Sequence, residues 1–220
     1  MQYAFGLEIS RTLEEVIDPR RLALLVYDMQ VGIFAQAPGL RSVIPQVEAV
    51  LEASRRAGVR TFFCRHMSLP VDLMGVSQLR TAMAWQRVDT PAEVRSHFLR
   101  DSPGFQLIPE MAPRPNEAVF DKLGMSAFAG TPLDTVLRDC GVLAFAVVGV
   151  VLEIGIAPTV SHGTDLGYVP VVIADACGSV DETARQRALT DIDYTLMSLT
   201  TDSATFCQLL ARTPISRGQA

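Results

Sequence analysis

Residues 142–158 read VLAFAVVGVVLEIGIAP, and this stretch decides how the rest of the chain is read. The first nine residues, 142–150, carry no polar side chain, so they form a strand with no solvent face. A strand buried on both sides needs a layer of helices above and below it. Gly149 interrupts the run, and a helix begins a few residues later. At such a helix start the backbone N–H groups lack intrahelical partners, so an oxyanion or a carboxylate can bind them. Gly155 leaves room for a ligand to approach the backbone, and it equally permits tight packing of the helix on the sheet.

Working outward, the same alternation recurs. Residues 22–27 (LALLVY) are a continuous apolar run that ends at Asp28. Residues 41–57 place Val43, Ile44, Val47, Val50 and Leu51 at helical spacing, and Gly58 follows as a stop signal. A strand at 59–64, a helical patch at 79–85 and a Pro-rich irregular stretch at 101–116 come next. The second half predicts strands at 118–120, 142–150, 169–174 and 198–200, with helices at 132–140, 159–166, 181–196 and 203–210. Pro170 must sit near the start of its strand or on a side that needs no donor. About six apolar strands separated by helices call for a three-layer, Rossmann-like α/β fold. Its sheet is mostly parallel, with right-handed crossovers and helices on both faces. The reading is one domain over 1–220, with an N-terminal extension at 1–20 and a loose tail at 213–220.

Composition narrows the function classes. A net charge of -5 over 220 residues gives no basic footprint, which argues against nucleic acid and anionic membranes as partners. No run approaches the roughly 20 apolar residues of a membrane span. Acids stand where a signal peptide would have its apolar core, so the chain reads as cytoplasmic. The four cysteines are scattered without a CxxC pair and read as reduced thiols. His66, His97 and His162 stand alone, so no metal is expected. His97 and His162 are expected on helix surfaces, and Trp85 in the core or an interface. GVVLEIG is not a GxGxxG fingerprint, so no dinucleotide or other cofactor is expected, and the partner is a small-molecule substrate.

In a parallel sheet, ligands bind beyond the carboxyl ends of the strands. Asp28, His66, Lys122 and the turn after Gly149 all fall there. A carboxylate at the end of six apolar residues resists ionisation and suits a general acid or base, although the same position suits a turn cap. Lys122 can hold that carboxylate, bind an anionic substrate, or face solvent.

DMQ at 28–30, FDKLGMSAF at 120–128 and GVVLEIG at 149–155 together resemble the isochorismatase-like, or cysteine, hydrolases. TDLGYVPVVIADACGS at 164–179 also looks like that family's next helix and strand. In the cysteine branch the resemblance implies Asp28 as base, Lys122 as its partner and a thiolate at position 155. It also implies a cis peptide between Val150 and Val151. This chain has Gly155 there, as true isochorismatases do, and it resembles that branch. The implied reaction is then isochorismate-type vinyl ether hydrolysis, with Asp28 as the acid and Lys122 orienting it and binding substrate anion. N–H groups over 151–155 would hold a carboxylate.

The candidate substrate contacts are Phe34, His66 and Arg80 on one side, and Val150, Val151, Glu153 and Ile154 at the turn. Departures stand beside these. The branch tends to read GVYAHVG where this chain has GVVLEIG, and glutamine where it has His66. Val151 lacks a tyrosine's polar contacts, and Glu153 brings in an acid. Another enol ether or a strained ring therefore stands beside isochorismate as substrate. Two further readings remain open: a non-catalytic binding or regulatory member, and an amidohydrolase that takes its thiol from elsewhere, such as Cys177. The resemblance also implies homodimers or homotetramers.

Overall fold

The computed structural model describes residues 1–212; the tail expected at 213–220 lies outside the described residues. The chain opens with a two-stranded antiparallel hairpin, β1 (Gln2–Ala4) and β2 (Leu7–Ile9), followed by the short helix α1 (Leu13–Val16). Sequence patterning had assigned no structure to this segment, because three-residue strands with exposed side chains leave no periodic signal.

The main body then alternates as expected. β3 (Leu22–Tyr27) is followed by α2 (Val31–Gln36), α3 (Ile44–Ala57) and β4 (Arg60–His66). α4 (Val76–Gln86), a run of short 3-10 turns and β5 (Ala118–Lys122) complete the first half. The second half comprises α5 (Leu133–Asp139), β6 (Ala144–Val150), a π-helical turn (Leu152–Ile156) and α6 (Ala157–Asp165). β7 (Val169–Gly178), α7 (Glu182–Thr195), β8 (Leu199–Thr201) and α8 (Ser203–Arg212) follow. α3 ends where the sequence stops it: Gly58 takes a φ of 75° and its N–H caps the last turn.

All six strands of the main sheet are parallel, in the order β5-β4-β3-β6-β7-β8. Side chains along β3 alternate between the two faces. Leu22, Leu24 and Val26 pack with α3 and α8, through Val47, Leu51 and Phe206. Ala23, Leu25 and Tyr27 pack with α5, α6 and α7, through Leu137, Val160 and Ile192. β3 therefore carries no polar residue until its end. The order of strands reverses between β3 and β6, so the crevice beyond their carboxyl ends is the natural ligand site.

β7 runs four residues past the expected strand. Its register with β6 shifts between Val147 and Gly149, and the extra residues form an irregularity rather than an end. Within it, Asp175 accepts hydrogen bonds from the Ser203 N–H (2.7 Å) and hydroxyl (2.6 Å), which anchors α8. One expectation is corrected: His97 lies in a turn rather than on a helix. Of the two places expected for Trp85, the core is ruled out, since it is 59% exposed. No helix among the described residues is long and apolar enough to cross a membrane.

Candidate active site

Asp28 sits at the carboxyl end of β3, its backbone in the left-handed region with a φ of 50°. Few residues other than glycine adopt that conformation, and aspartate is among the more tolerant. Parallel pairing of β4 and β5 sets Lys122 opposite His66, two strands over from Asp28. Lys122 is 2% exposed and donates to Asp28 Oδ2 at 2.8 Å. Its ammonium also lies 4.4 Å from the centre of the Tyr27 ring and 3.4 Å from the Gly124 carbonyl oxygen. A buried lysine persists only with such company. Asp28 Oδ1 is buried and has no hydrogen-bond partner among the described residues. Burial holds the Asp28 carboxyl above the usual carboxylate range, against the opposing pull of Lys122.

The turn after β6 is shaped by Tyr27. Gly149 has a φ of 119°, and a side chain there would overlap the Tyr27 backbone. The Val150–Val151 peptide is cis. At Gly155 a Cβ would lie 2.5 Å from Tyr27 Cε1 and from its hydroxyl oxygen. The Tyr27 ring thus fills the space in which a side chain at 155 would begin. The ring is fully buried and its hydroxyl donates to the Met125 carbonyl. The expected anion cradle at this turn is narrower than the sequence implied. The Gly155 and Ile156 N–H groups donate to the Val151 carbonyl at 3.0 and 3.2 Å, because the π-helical turn closes on itself. The Gly155 carbonyl in turn accepts from the Thr159 hydroxyl at 2.7 Å.

Gln30, the last residue of DMQ, was not assigned a role from sequence. Its side chain is fully buried and clasps the end of β4: Nε2 donates to the His66 carbonyl (2.9 Å) while Oε1 accepts from the His66 N–H (2.7 Å). Nε2 also donates to the Phe105 carbonyl at 2.9 Å, which ties in the Pro-rich loop. An amide, with a donor and an acceptor on one carbon, suits this pair of hydrogen bonds to one residue's backbone. The residue type was visible in the sequence; its partners were not.

A cleft of about 760 Å³ opens above this centre. Asp28, His66, Val150, Val151, Ile154 and Gly155 all line it, so the fold brings these predicted residues together. Lys122 lies behind Asp28 rather than on the wall. Three predicted contacts do not reach it. α4 faces the cleft through Ser77, Thr81 and Trp85, spaced four apart, and leaves Arg80 exposed on another face. α2 presents Ile33 and Gln36 and buries Phe34 in the core, with Arg41 5.7 Å from the ring centre. Glu153 points away from the cleft, with both carboxylate oxygens buried and without a hydrogen-bond partner among the described residues. Burial and the nearby Lys122 push the His66 imidazole down to about 4, so it is neutral at pH 7.

Cys177 does not line the cleft. Burial pushes its thiol up to about 12, and its sulfur lies 3.5 Å from the Val147 carbonyl oxygen. A thiol held protonated and turned into the sheet is a poor nucleophile. Among the described residues, no group of three histidine, cysteine, aspartate or glutamate side chains is placed to hold a metal ion.

Residues 22–204 match the family model of the Isochorismatase domain. A cysteine hydrolase from Pseudomonas syringae pv. phaseolicola superposes with a TM-score of 0.76 at 25% identity, over 89% of this chain and 95% of that one. An isochorismatase family protein from Desulfovibrio vulgaris gives 0.74 at 24% identity, over 88% and 100% of the two chains. The N-carbamoylsarcosine amidase of Thermoplasma acidophilum gives 0.67 at 23% identity, over 83% and 96%. The last two likenesses speak for the shared fold alone.

Proposed function

The chain belongs to the isochorismatase family and is a hydrolase, and we propose that it works by acid–base catalysis at Asp28 without a thiol intermediate. The observation that carries this reading is the Asp28 carboxyl itself. One oxygen is held by Lys122, the other is buried and unpartnered at the cleft wall, and burial favours its protonated form. A carboxylic acid of that kind can deliver a proton to carbon.

Vinyl ether hydrolysis of the isochorismatase type suits it best. Asp28 protonates the terminal vinylic carbon, and the charge left on the adjacent carbon is shared with the ether oxygen. Water adds to that carbon and returns a proton to the Asp28 carboxylate. The adduct then breaks its C–O bond to give a carbonyl compound and an alcohol. Lys122 fixes the carboxyl and stabilises its anion between the two steps. Position 155 supports the same reading: with Gly155 aligned to the family's thiolate position, even a Cβ there would lie 2.5 Å from the Tyr27 ring.

The test is turnover of enol ethers, isochorismate among them, by the wild type and by Asp28→Asn. Release of the carbonyl product by the wild type, reduced at least about a hundredfold by the substitution, is expected. Full activity of Asp28→Asn on a confirmed substrate would sink the proposal. One observation favours a second reading, a member that binds without turnover: the Gly155 N–H is already committed to the Val151 carbonyl. A ligand recovered unchanged after long incubation with the wild type would support that alternative.

A further inference from the structure

We infer that the Asp28 cleft takes an uncharged or singly anionic molecule with a bulky apolar body, rather than a compact dianion. The inference deepens the acid–base reading, rests on it, and sets isochorismate itself, a dicarboxylate, behind neutral and singly charged enol ethers as the substrate. Three observations on the cleft carry it.

The first is charge. Of the cations the sequence offered for a substrate anion, Lys122 is consumed by Asp28 and Arg80 faces away. Arg65 points to Asp121 at 2.8 Å and stacks 4.1 Å from the centre of the Phe105 ring. Arg95 is the single arginine or lysine lining the cleft among the described residues. It is exposed at the mouth, and its guanidinium lies 3.4 and 3.5 Å from the Ala92 and Val94 carbonyl oxygens. A dianion seated over Asp28 would lose its hydration and find one cation at most.

The second is the wall. Met67, Met125, Phe98, Leu123, Val151 and Ile154 surround the approach to Asp28. The methionines are flexible and polarisable, which suits an apolar body of variable shape. The third is size. At about 760 Å³ the cleft falls in the upper part of the range for drug-sized ligands, roughly 300–1,000 Å³. α4 adds the polar side chains of Ser77, Gln78 and Thr81 to the wall. These can bind a hydroxyl or carbonyl of the substrate without supplying charge.

Trp85 is the chain's one tryptophan and lines the cleft, so its fluorescence reports occupancy. The wild-type full chain is titrated with two stable cyclohexane probes, cyclohexyl ethyl ether and cyclohexane-1,2-dicarboxylate, with calorimetry in parallel. The neutral ether is expected to bind at least tenfold more tightly than the dicarboxylate. Tighter binding of the dicarboxylate, or no binding of the ether, overturns the inference. Cyclohexyl vinyl ether then separates this inference from the reading beneath it. Its hydrolysis consumes one water and yields cyclohexanol and acetaldehyde. Binding of the saturated ether without acetaldehyde release leaves the apolar cleft standing and counts against vinyl ether hydrolysis at Asp28.

Discussion

Placing a cysteine at position 155 does not create a working thiol in this chain; it breaks the packing under the site. The Gly155→Cys Cβ would stand 2.5 Å from Tyr27 Cε1 and hydroxyl oxygen and 2.7 Å from Cζ, well inside contact distance. The ring cannot swing aside cheaply. It is fully buried, its hydroxyl is bonded to the Met125 carbonyl, and the Lys122 ammonium lies 4.4 Å from its centre. Overpacking of a rigid core costs about 1–3 kcal/mol. Loss of the buried tyrosine hydrogen bond adds about 1 kcal/mol. The sum, about 2–4 kcal/mol, corresponds to a fall in Tm of roughly 5–15 °C for a chain of this size. Urea unfolding followed by circular dichroism measures it directly. Tyr27→Val should itself cost about 3–5 kcal/mol through the cavity it leaves. The double variant Tyr27→Val/Gly155→Cys should then be more stable than additivity allows by about 1–3 kcal/mol, since each change relieves the other. A Gly155→Cys protein as stable as the wild type, or a strictly additive double variant, would refute the steric account.

Other outcomes follow from the same geometry. Because burial raises the Asp28 carboxyl and the protonated acid is the active form, turnover should be full below that raised value and fall as pH climbs through it; a pH–rate profile rising toward alkali would contradict the acid role. Lys122→Met strands a buried carboxylate, so stability at pH 7 should drop by about 3–5 kcal/mol. That loss should shrink as the solution is acidified and Asp28 takes up its proton, which unfolding at pH 7 and pH 5 can compare. Gln30→Leu removes the amide that bonds both His66 backbone groups and the Phe105 carbonyl, at an expected cost of about 2–4 kcal/mol. Hydrogen exchange should locate the loss at the His66 N–H.

The sequence foresaw elements whose signals are local. β3 and β6 announce themselves as unbroken apolar runs, and α3 ends at the glycine that stops it. The places of Asp28, Lys122 and Gly155 in the fold were legible as well, because each falls at the end of a strand or at a strand-to-helix turn. Arg80 and Phe34 were misplaced for a common reason. Both lie on helices, and a helix residue reaches a cleft only if its own face turns inward, which depends on how the whole helix is rotated against the sheet. α4, with no buried residue of its own, gives almost no sequence clue to that rotation.

By itself, then, the sequence determined the layered α/β architecture, the family and the ends of strands where chemistry gathers, because apolar periodicity and turn residues act over a few neighbours. Tertiary structure alone decided what those positions do to one another. Tyr27 and Gly155 meet across the β3–β6 pair; Gln30 reaches His66 and Phe105; Lys122 is spent on Asp28. These contacts join residues far apart in the chain, and only close packing of a finished core sets their distances.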